Sequence, residues 1–332
     1  MTPTPTAAPH TAPAAASTTA PPLSCYTTNL LAVLTLETPD TPTRFTDAVR
    51  LAVRTDLGPG EAAFSHHHRV DITSDGSELA YRGADRWADA SSALAAAVHN
   101  RGPVLAVANT ATLPWSPAFG RAVSPHWVIL LAEDNDNWLV ADHFEALTPF
   151  GEQHPVRCRL TGAQLASALL LPAELPAELT RRDRMALGEQ VTEPPTGRYR
   201  WLTRTTPTGP LPPRPGHTPG PGQWTHGAAE VIRHMADIFR SHPESVARYT
   251  DDLWAAGRHQ TYRISRLTGA GVLDPQAAGR LSATWAELPR VLRFASASAE
   301  RGRPRPGIVD RAMDQLTDAY SHTAVPYTEW EG

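Results

Sequence analysis

A cysteine, a histidine and an aspartate are spaced in this chain in a way that suits nucleophilic catalysis. Cys25 directly precedes the apolar segment 26–36 (YTTNLLAVLTL), which predicts that its thiol lies at the start of a buried helix. The dipole and the free N–H groups of a first helical turn favour the thiolate, the nucleophilic form of cysteine. The same N–H groups can hold the oxyanion of an acyl intermediate. The ordinary alternative is that Cys25 is a small buried core residue.

His126 and Asp142 stand at the two open ends of a predicted β-hairpin. Segments 127–133 and 137–142 are short and apolar, and the Asp-Asn-Asp-Asn sequence at 134–137 predicts the turn between them. Antiparallel pairing brings the strand ends together, so the carboxylate can orient the imidazole. Together with Cys25, His126 and Asp142 form the arrangement of catalytic residues found in papain-type enzymes. In that arrangement the histidine takes the thiol proton and later gives a proton to the leaving group.

Other side chains that could take part in catalysis or metal binding have simpler interpretations. His66, His67 and His68 are adjacent and so cannot all face one metal ion, and no cysteine or carboxylate cluster completes a site. We therefore expect a solvated loop at these histidines and no metal. Cys158 alternates with apolar neighbours and is predicted to be a core residue. His259 lies on a predicted helix with Tyr262, Arg263 and Arg266. These residues could line an acceptor pocket, and a surface helix face is the simpler expectation.

An arginine-rich segment follows the predicted strands. Between positions 181 and 214 it holds seven arginines and only three acidic residues, beginning with Arg181, Arg182 and Arg184. An ordinary surface explains such a segment. Arginine also grips phosphate in a bidentate manner, so the segment is alternatively a dock for an acidic carrier protein and its phosphopantetheine phosphate.

The elements that must position the triad mix helices and strands, which predicts an α+β domain with an antiparallel sheet. The spacing of apolar residues predicts short helices and strands that follow one another along the chain, and Thr161 is predicted to cap the second of the two helices. The predicted strands are 103–109, 127–133, 137–142 and 155–160, and the predicted helices are 85–99 and 161–171. Beyond residue 225 the apolar residues recur with helical period only, which predicts an all-α domain.

Two proline-rich segments mark the predicted boundaries. Residues 1–22 hold six prolines and no charged residue, so we expect a disordered tail. Residues 205–224 hold seven prolines and four glycines, so we expect a linker. The catalytic domain is thus predicted at 23–204 and the helical domain at 225–322.

Composition excludes several functional classes. The net charge is −4, whereas a nucleic-acid-binding chain is usually strongly basic. No apolar run reaches the 18 residues of a membrane span, and the features of a secretory signal are missing, so we expect a cytoplasmic protein. All 30 basic residues are arginine, which excludes chemistry that requires lysine.

The sequence resembles the papain-like acyltransferase family typified by the butirosin-biosynthesis H protein. The resemblance lies in Ser24–Leu30 (SCYTTNL), in Gly102–Leu105 (GPVL) leading to Leu113–Trp115 (LPW), in the hairpin with His126 and Asp142, and in the helical region beyond about 225. It implies a papain-like domain followed by an all-α domain, with Cys25, His126 and Asp142 as catalytic residues. It also implies acyl transfer from a carrier-protein thioester to an amine in natural-product biosynthesis.

This implied activity needs no cofactor, because the phosphopantetheine arm arrives with the donor. The same triad also suits a thioesterase, an amidase or a chain-releasing cyclase, and a non-catalytic carrier-protein adaptor is a further alternative. Papain-like peptidases carry an oxyanion-hole glutamine shortly before the cysteine, whereas Thr19 stands six positions before Cys25 here. Asn29 or Asn109 are the candidates for that donor.

Overall fold

The protein is a mixed α/β structure with antiparallel sheets. The computed structural model describes residues 23–191, 196–206 and 219–326. The predicted tail at 1–22 and most of the predicted linker, residues 207–218, lie outside these ranges. Within them, no helix combines the length and the apolarity that crossing a membrane requires.

The described elements alternate in the first two thirds of the chain and become helical in the last third. The helices are α1 (Cys25–Glu37), α2 (Thr41–Ala48), α3 (Trp87–Arg101), α4 (Gly162–Leu169), α5 (Ala177–Met185), α6 (Ala228–Ser241), α7 (Ser245–Gly269), α8 (Pro275–Glu300) and α9 (Pro306–Ser321). The strands are β1 (Val49–Arg54), β2 (Phe64–His67), β3 (Glu78–Ala84), β4 (Val104–Asn109), β5 (Pro125–Asp134), β6 (Asn137–Asp142), β7 (Ala146–Thr148), β8 (Gly151–Gln153), β9 (Val156–Thr161), β10 (Tyr199–Thr205) and β11 (Trp224–His226).

A six-stranded sheet in the order β3-β10-β4-β5-β6-β9 forms the centre of the first region, and its neighbouring strands are antiparallel. Both of its faces are covered. Leu105 and Val107 pack with α1 on one face, while Ala106 and Val128 pack with α3 and α4 on the other. This two-sided burial explains why strands β4 and β5 are continuously apolar in sequence.

The hairpin that carries His126 and Asp142 forms as predicted. Its turn residues Asn135 and Asp136 have φ angles of 50° and 63°. Two successive left-handed residues define a type I′ turn, whose twist matches that of the flanking strands, and Asn and Asp tolerate this backbone better than most residues. The predicted strands and helices around the hairpin are also confirmed, including the cap of α4 by Thr161, whose hydroxyl accepts from the N–H of Gln164.

Strand β10 was not foreseen from the sequence. It lies in the arginine-rich segment and returns to pair with β3 over its whole length and with β4 at Arg200 and Trp201. Its alternation of arginine with apolar residues is short, and its partners are about 100 residues away in the chain. Local periodicity cannot reveal such a pairing.

Helices α6 to α9 share their core with a second sheet, of order β11-β1-β2. Leu51, Val53 and Phe64 from its strands lie in one apolar cluster with helix residues such as Leu253 and Trp285. The helical region therefore packs directly on strands from the first part of the chain. Helix α7 contacts both β1 and β2. Its residue His259 also contacts Thr27, which places α7 beside the first turn of α1.

Candidate active site

Cys25 is the first residue of α1, as predicted. Ser24 caps this helix, because its hydroxyl accepts a hydrogen bond from the N–H of Thr27 at 3.4 Å. The Cys25 side chain is partly buried and lines a cavity of about 500 Å³. The first N–H groups of α1 have no acceptor within the helix, so they are oriented to stabilise negative charge beside the thiol.

His126 and Asp142 lie against each other at the edge of the same cavity. Nε2 of His126 is 2.7 Å from Oδ2 of Asp142, and both side chains are almost completely buried. Cys25 lies close enough to His126 for its charge to act on the imidazole, and both side chains line the cavity. The structure thus brings together all three residues of the predicted triad.

The charges of this trio favour a protonated imidazole. Burial disfavours the charged form of His126, but Asp142 and Cys25 outweigh that effect and raise the pKa of His126 to about 10. Burial also favours the neutral form of Asp142, yet His126 and the amide and indole donors around it hold its pKa below the ordinary value. At neutral pH His126 is therefore an imidazolium paired with a carboxylate.

Four further donors fix the Asp142 carboxylate. Oδ2 accepts from Nε1 of Trp115 at 2.8 Å and from Nε2 of Gln153 at 2.9 Å. Oδ1 accepts from Nδ2 of Asn29 and from the N–H of Phe144, both at 3.0 Å. A carboxylate with this many donors is held in its charged form and in one orientation, so it also fixes the ring of His126.

Asn29 braces the triad and does not fit the predicted oxyanion role. It is fully buried, and its amide nitrogen lies 2.7 Å from the carbonyl of Trp127 and 3.0 Å from Asp142. Its carbonyl oxygen accepts from the N–H of His143 at 2.9 Å. Because both amide hydrogens have protein acceptors, Asn29 has none for an oxyanion. Its function is to tie α1 to the two strands that carry the histidine and the aspartate.

Asn109 also differs from the prediction. Its amide nitrogen donates to the carbonyl of Leu170 at 3.1 Å, and its side-chain oxygen accepts from the N–H of Ala111 at 3.0 Å. These bonds hold the turn after β4 against the end of α4, and Asn109 does not line the cavity. The available oxyanion donors at Cys25 are therefore the backbone N–H groups of the first helical turn.

A hydrogen-bonded relay connects α7 to the start of α1. Nδ1 of His259 donates to the carbonyl of Ala255 at 2.7 Å, so Nε2 is the acceptor in the neutral ring. The Thr27 hydroxyl lies 2.9 Å from that Nε2 and 3.0 Å from the hydroxyl of Ser24. Burial, with the neighbouring His67 and Arg258, lowers the pKa of His259 to about 3, so the ring stays neutral. Ser24, which caps the helix that carries Cys25, is thus held in place by α7 through Thr27.

His67 and His68 are buried and His66 is half-buried, so the expected solvated loop is wrong. His66 and His67 end strand β2 and stack on the ring of His259, with centroids 5.3 and 5.8 Å away. Burial holds the pKa of His66 well below its ordinary value and lowers that of His67 to about 3. These rings are neutral aromatic spacers between β2 and α7, which explains how a polar tripeptide enters a packed region. The surface position expected for His259 is wrong for the same reason.

The arginines of the predicted carrier dock are mostly paired within the protein. Arg182 forms a bidentate bond with the buried Asp252 of α7, at 2.7 and 2.9 Å. Arg181 lies 3.3 Å from Glu61, and both arginines line the cavity. Only Arg184 of the three is exposed. Arg181 and Arg182 therefore do not form an uncompensated basic surface, because acidic residues distant in sequence neutralise them.

Three side chains complete the site without having been assigned a role at the triad from the sequence. Trp115 and Gln153 reach Asp142 from the turn after β4 and from β8, and His259 comes from α7. None of them has a spacing from Cys25 or His126 that a local pattern would reveal. Within the described ranges, no group of three or more His, Cys, Asp or Glu side chains is arranged to hold a metal ion.

No family model matches the chain, and no curated protein matches it significantly.

Proposed function

We propose that the protein is a cysteine-dependent acyltransferase that moves an acyl group from a thioester, through acyl-Cys25, to an amine or hydroxyl acceptor. The observation that carries this proposal is the buried Cys25–His126–Asp142 set at the wall of a cavity. The packing of α1 on an antiparallel sheet, with its first residue beside a histidine of β5, supports the papain-like arrangement expected from the sequence.

Acylation begins with the Cys25 thiolate and the His126 imidazolium. The sulfur attacks the thioester carbonyl carbon, and the carbonyl oxygen becomes an oxyanion held by N–H groups of the first turn of α1. The carbonyl then re-forms and the bond to the donor sulfur breaks. The departing thiolate takes the proton of His126, which leaves a neutral imidazole and an acyl-Cys25 thioester.

Transfer reverses the roles of the same residues. An amine attacks the acyl-Cys25 carbonyl while the neutral His126 accepts one of its protons. Breakdown of the tetrahedral species expels the Cys25 thiolate and leaves the acyl group on the acceptor. The imidazolium and the thiolate are then restored, and Asp142 keeps the ring aligned through both steps.

The donor proposed here is a carrier-protein thioester, whose phosphopantetheine arm reaches Cys25 through the cavity. A flexible arm suits a nucleophile that lies in a recessed wall and not on the surface. Arg184 is the exposed arginine of the predicted dock and is the candidate contact for the carrier. The acceptor enters the same cavity after the free thiol has left.

Intact-mass spectrometry with an acyl-loaded carrier protein tests the proposal. We expect an adduct of the acyl mass on the wild-type protein and none on Cys25→Ala. Cys158→Ala is the matched control, because it removes the other cysteine of the chain and should retain the adduct. An adduct that persists in Cys25→Ala would refute the assignment of the nucleophile.

The fate of the acyl group separates a transferase from a hydrolase. Candidate amines are added to the acylated protein while free acid and acyl-amine are followed by chromatography. A transferase forms acyl-amine at the expense of free acid. Release of free acid that no amine diminishes would instead identify a thioesterase with the same triad.

A further inference from the structure

The cavity wall beside His126 differs in chemistry from the opposite wall. We propose that this wall, formed by residues 116–125 and 144–150, is an acyl subsite that selects uncharged, apolar acyl groups. The inference rests on the proposed function, because it names the substrate class for the same nucleophile. We call these two segments the acyl wall.

The side chains that the acyl wall contributes to the cavity are apolar or neutral. They come from the turns between β4 and β5 and from the β7–β8 hairpin, and they include Pro117, Ala118, Val123, Leu147, Pro149 and Phe150. None of the cavity-lining residues in these two segments carries a charge. A charged group placed against these side chains would lose hydration and gain no partner from them.

Apolar exposure is concentrated on the same wall. Seven large apolar side chains of the described residues are exposed, and four of them lie here: Phe119, Val123, Leu147 and Phe150, with exposed fractions of 41 to 68%. A cluster of this kind beside a cavity is typical of a binding surface. The two segments also lie close together: Gly151 directly follows the second segment, and a Cβ on it would lie 3.7 Å from Cβ of Pro117 in the first. They therefore form one continuous surface.

The opposite wall supplies partners for polar parts of the substrates. It includes Glu178, Arg181, Arg182, Asp251 and Asp252 from α5 and α7. Phe144 connects the acyl wall to the triad, because the centroid of its ring lies 5.5 Å from that of His126. An acyl group on Cys25 therefore lies beside the acyl wall, and charged parts of the donor or the acceptor can contact the charged side chains of α5 and α7.

A thioester series tests the selectivity. N-acetylcysteamine thioesters of acetyl, butyryl, hexanoyl and adipoyl groups are compared by the rate of acyl-Cys25 formation, followed by intact mass. Burial of each methylene contributes up to about fourfold, so we expect the rate to rise by at least about tenfold from acetyl to hexanoyl. Adipoyl ends in a carboxylate and should react at least about tenfold more slowly than hexanoyl. Equal rates, or preference for adipoyl, would overturn the proposal.

A matched pair of variants locates the effect. Leu147 and Leu36 are both 68% exposed, but only Leu147 lines the cavity. Leu147→Asp should slow hexanoyl transfer to Cys25 by about tenfold and acetyl transfer by less, so the ratio of the hexanoyl rate to the acetyl rate should fall. Leu36→Asp should change neither rate. If Leu36→Asp and Leu147→Asp changed the hexanoyl and acetyl rates equally, the acyl wall would not be the source of the selectivity.

Alkylation separates failure of the subsite from failure of the proposed function. N-hexyl iodoacetamide and iodoacetamide are compared by their rates with Cys25, each relative to its rate with glutathione. Faster relative reaction of the hexyl reagent without any thioester transfer would retain the acyl wall as an apolar site and refute the acyltransferase. Thioester transfer with no chain-length preference, and no preference for the hexyl reagent, would retain the acyltransferase and refute the acyl wall.

Discussion

Nε2 of His259 lies 2.9 Å from the hydroxyl of Thr27, although 232 positions separate the two residues in the chain. This contact connects α7 to the first turn of the helix that carries Cys25. The same hydroxyl meets Ser24, the cap of that helix. The helical region is therefore part of the support for the nucleophile and packs against the active site itself.

Thr27→Val removes the relay while it keeps the shape of the side chain. We expect the free energy of unfolding to fall by about 1–3 kcal/mol, because Nε2 of His259 is left buried without a donor. The rate of Cys25 alkylation by iodoacetamide should fall about fivefold, since the cap beside the thiol loses its support. Peptide mass spectrometry after timed quenching measures this rate.

Thr27→Ser and Cys158 supply the controls for that experiment. Serine retains the hydroxyl and should restore most of the Cys25 rate. Cys158 reports on general loosening, because it is the other cysteine and is partly buried on strand β9. A rise of both alkylation rates in Thr27→Val would indicate partial unfolding and contradict a specific relay.

Asp142→Asn is expected to reverse the protonation of His126. Asp142 and Cys25 together outweigh the burial that disfavours the imidazolium, so removal of the carboxylate should bring the pKa of His126 well below about 10. Nuclear magnetic resonance of the imidazole C–H groups measures this titration. A His126 that stays protonated at pH 8 in Asp142→Asn would contradict the assigned cause.

The same pair predicts the direction of the pH dependence of stability. The raised pKa of His126 contributes stability that is fully present below about pH 6.5 and is lost as the pH rises towards about 10. The lowered pKa of Asp142 contributes stability above about pH 4 that is lost in acid. The free energy of unfolding can be measured with urea across this pH range. Towards both the acid and the alkaline limit it should fall less in Asp142→Asn than in the wild type.

Asn29→Asp tests the brace without changing its size. The substitution replaces an amide donor by a carboxylate 3.0 Å from Oδ1 of Asp142 and 2.7 Å from the carbonyl of Trp127. Repulsion and the lost donors should reduce Cys25 acylation by at least about tenfold and lower stability by about 2–4 kcal/mol. The acylation rate and the urea midpoint measure the two effects. Acylation at the wild-type rate would show that Asn29 does not position Asp142.

The ion pair between Arg182 and Asp252 tests the attachment of α5 to α7. Arg182→Met leaves the buried Asp252 without its partner and should cost about 3–5 kcal/mol of unfolding free energy. Asp252→Leu in addition should recover part of that loss, because the unpaired charge is removed. Arg184→Met is the exposed control and should cost less than about 0.5 kcal/mol. A double variant no more stable than Arg182→Met would contradict a buried ion pair.

The sequence by itself determined the local features of the site. The position of Cys25 before an apolar run predicted the helix start, and the Asp-Asn-Asp-Asn turn predicted the hairpin that joins His126 to Asp142. Both depend on short-range rules, namely helix capping and the backbone preferences of turn residues. The antiparallel pairing of two neighbouring strands was predictable for the same reason.

Only the tertiary structure decided the contacts between distant segments. Asn29 changed from a predicted oxyanion donor to a brace because its acceptors, Trp127 and Asp142, lie about 100 residues further along the chain. The stacked histidines of β2 and the paired Arg182 of α5 depend on α7, which follows them much later in the chain. Whether a polar side chain is solvated or buried is set by what packs against it, and a linear pattern does not contain that information.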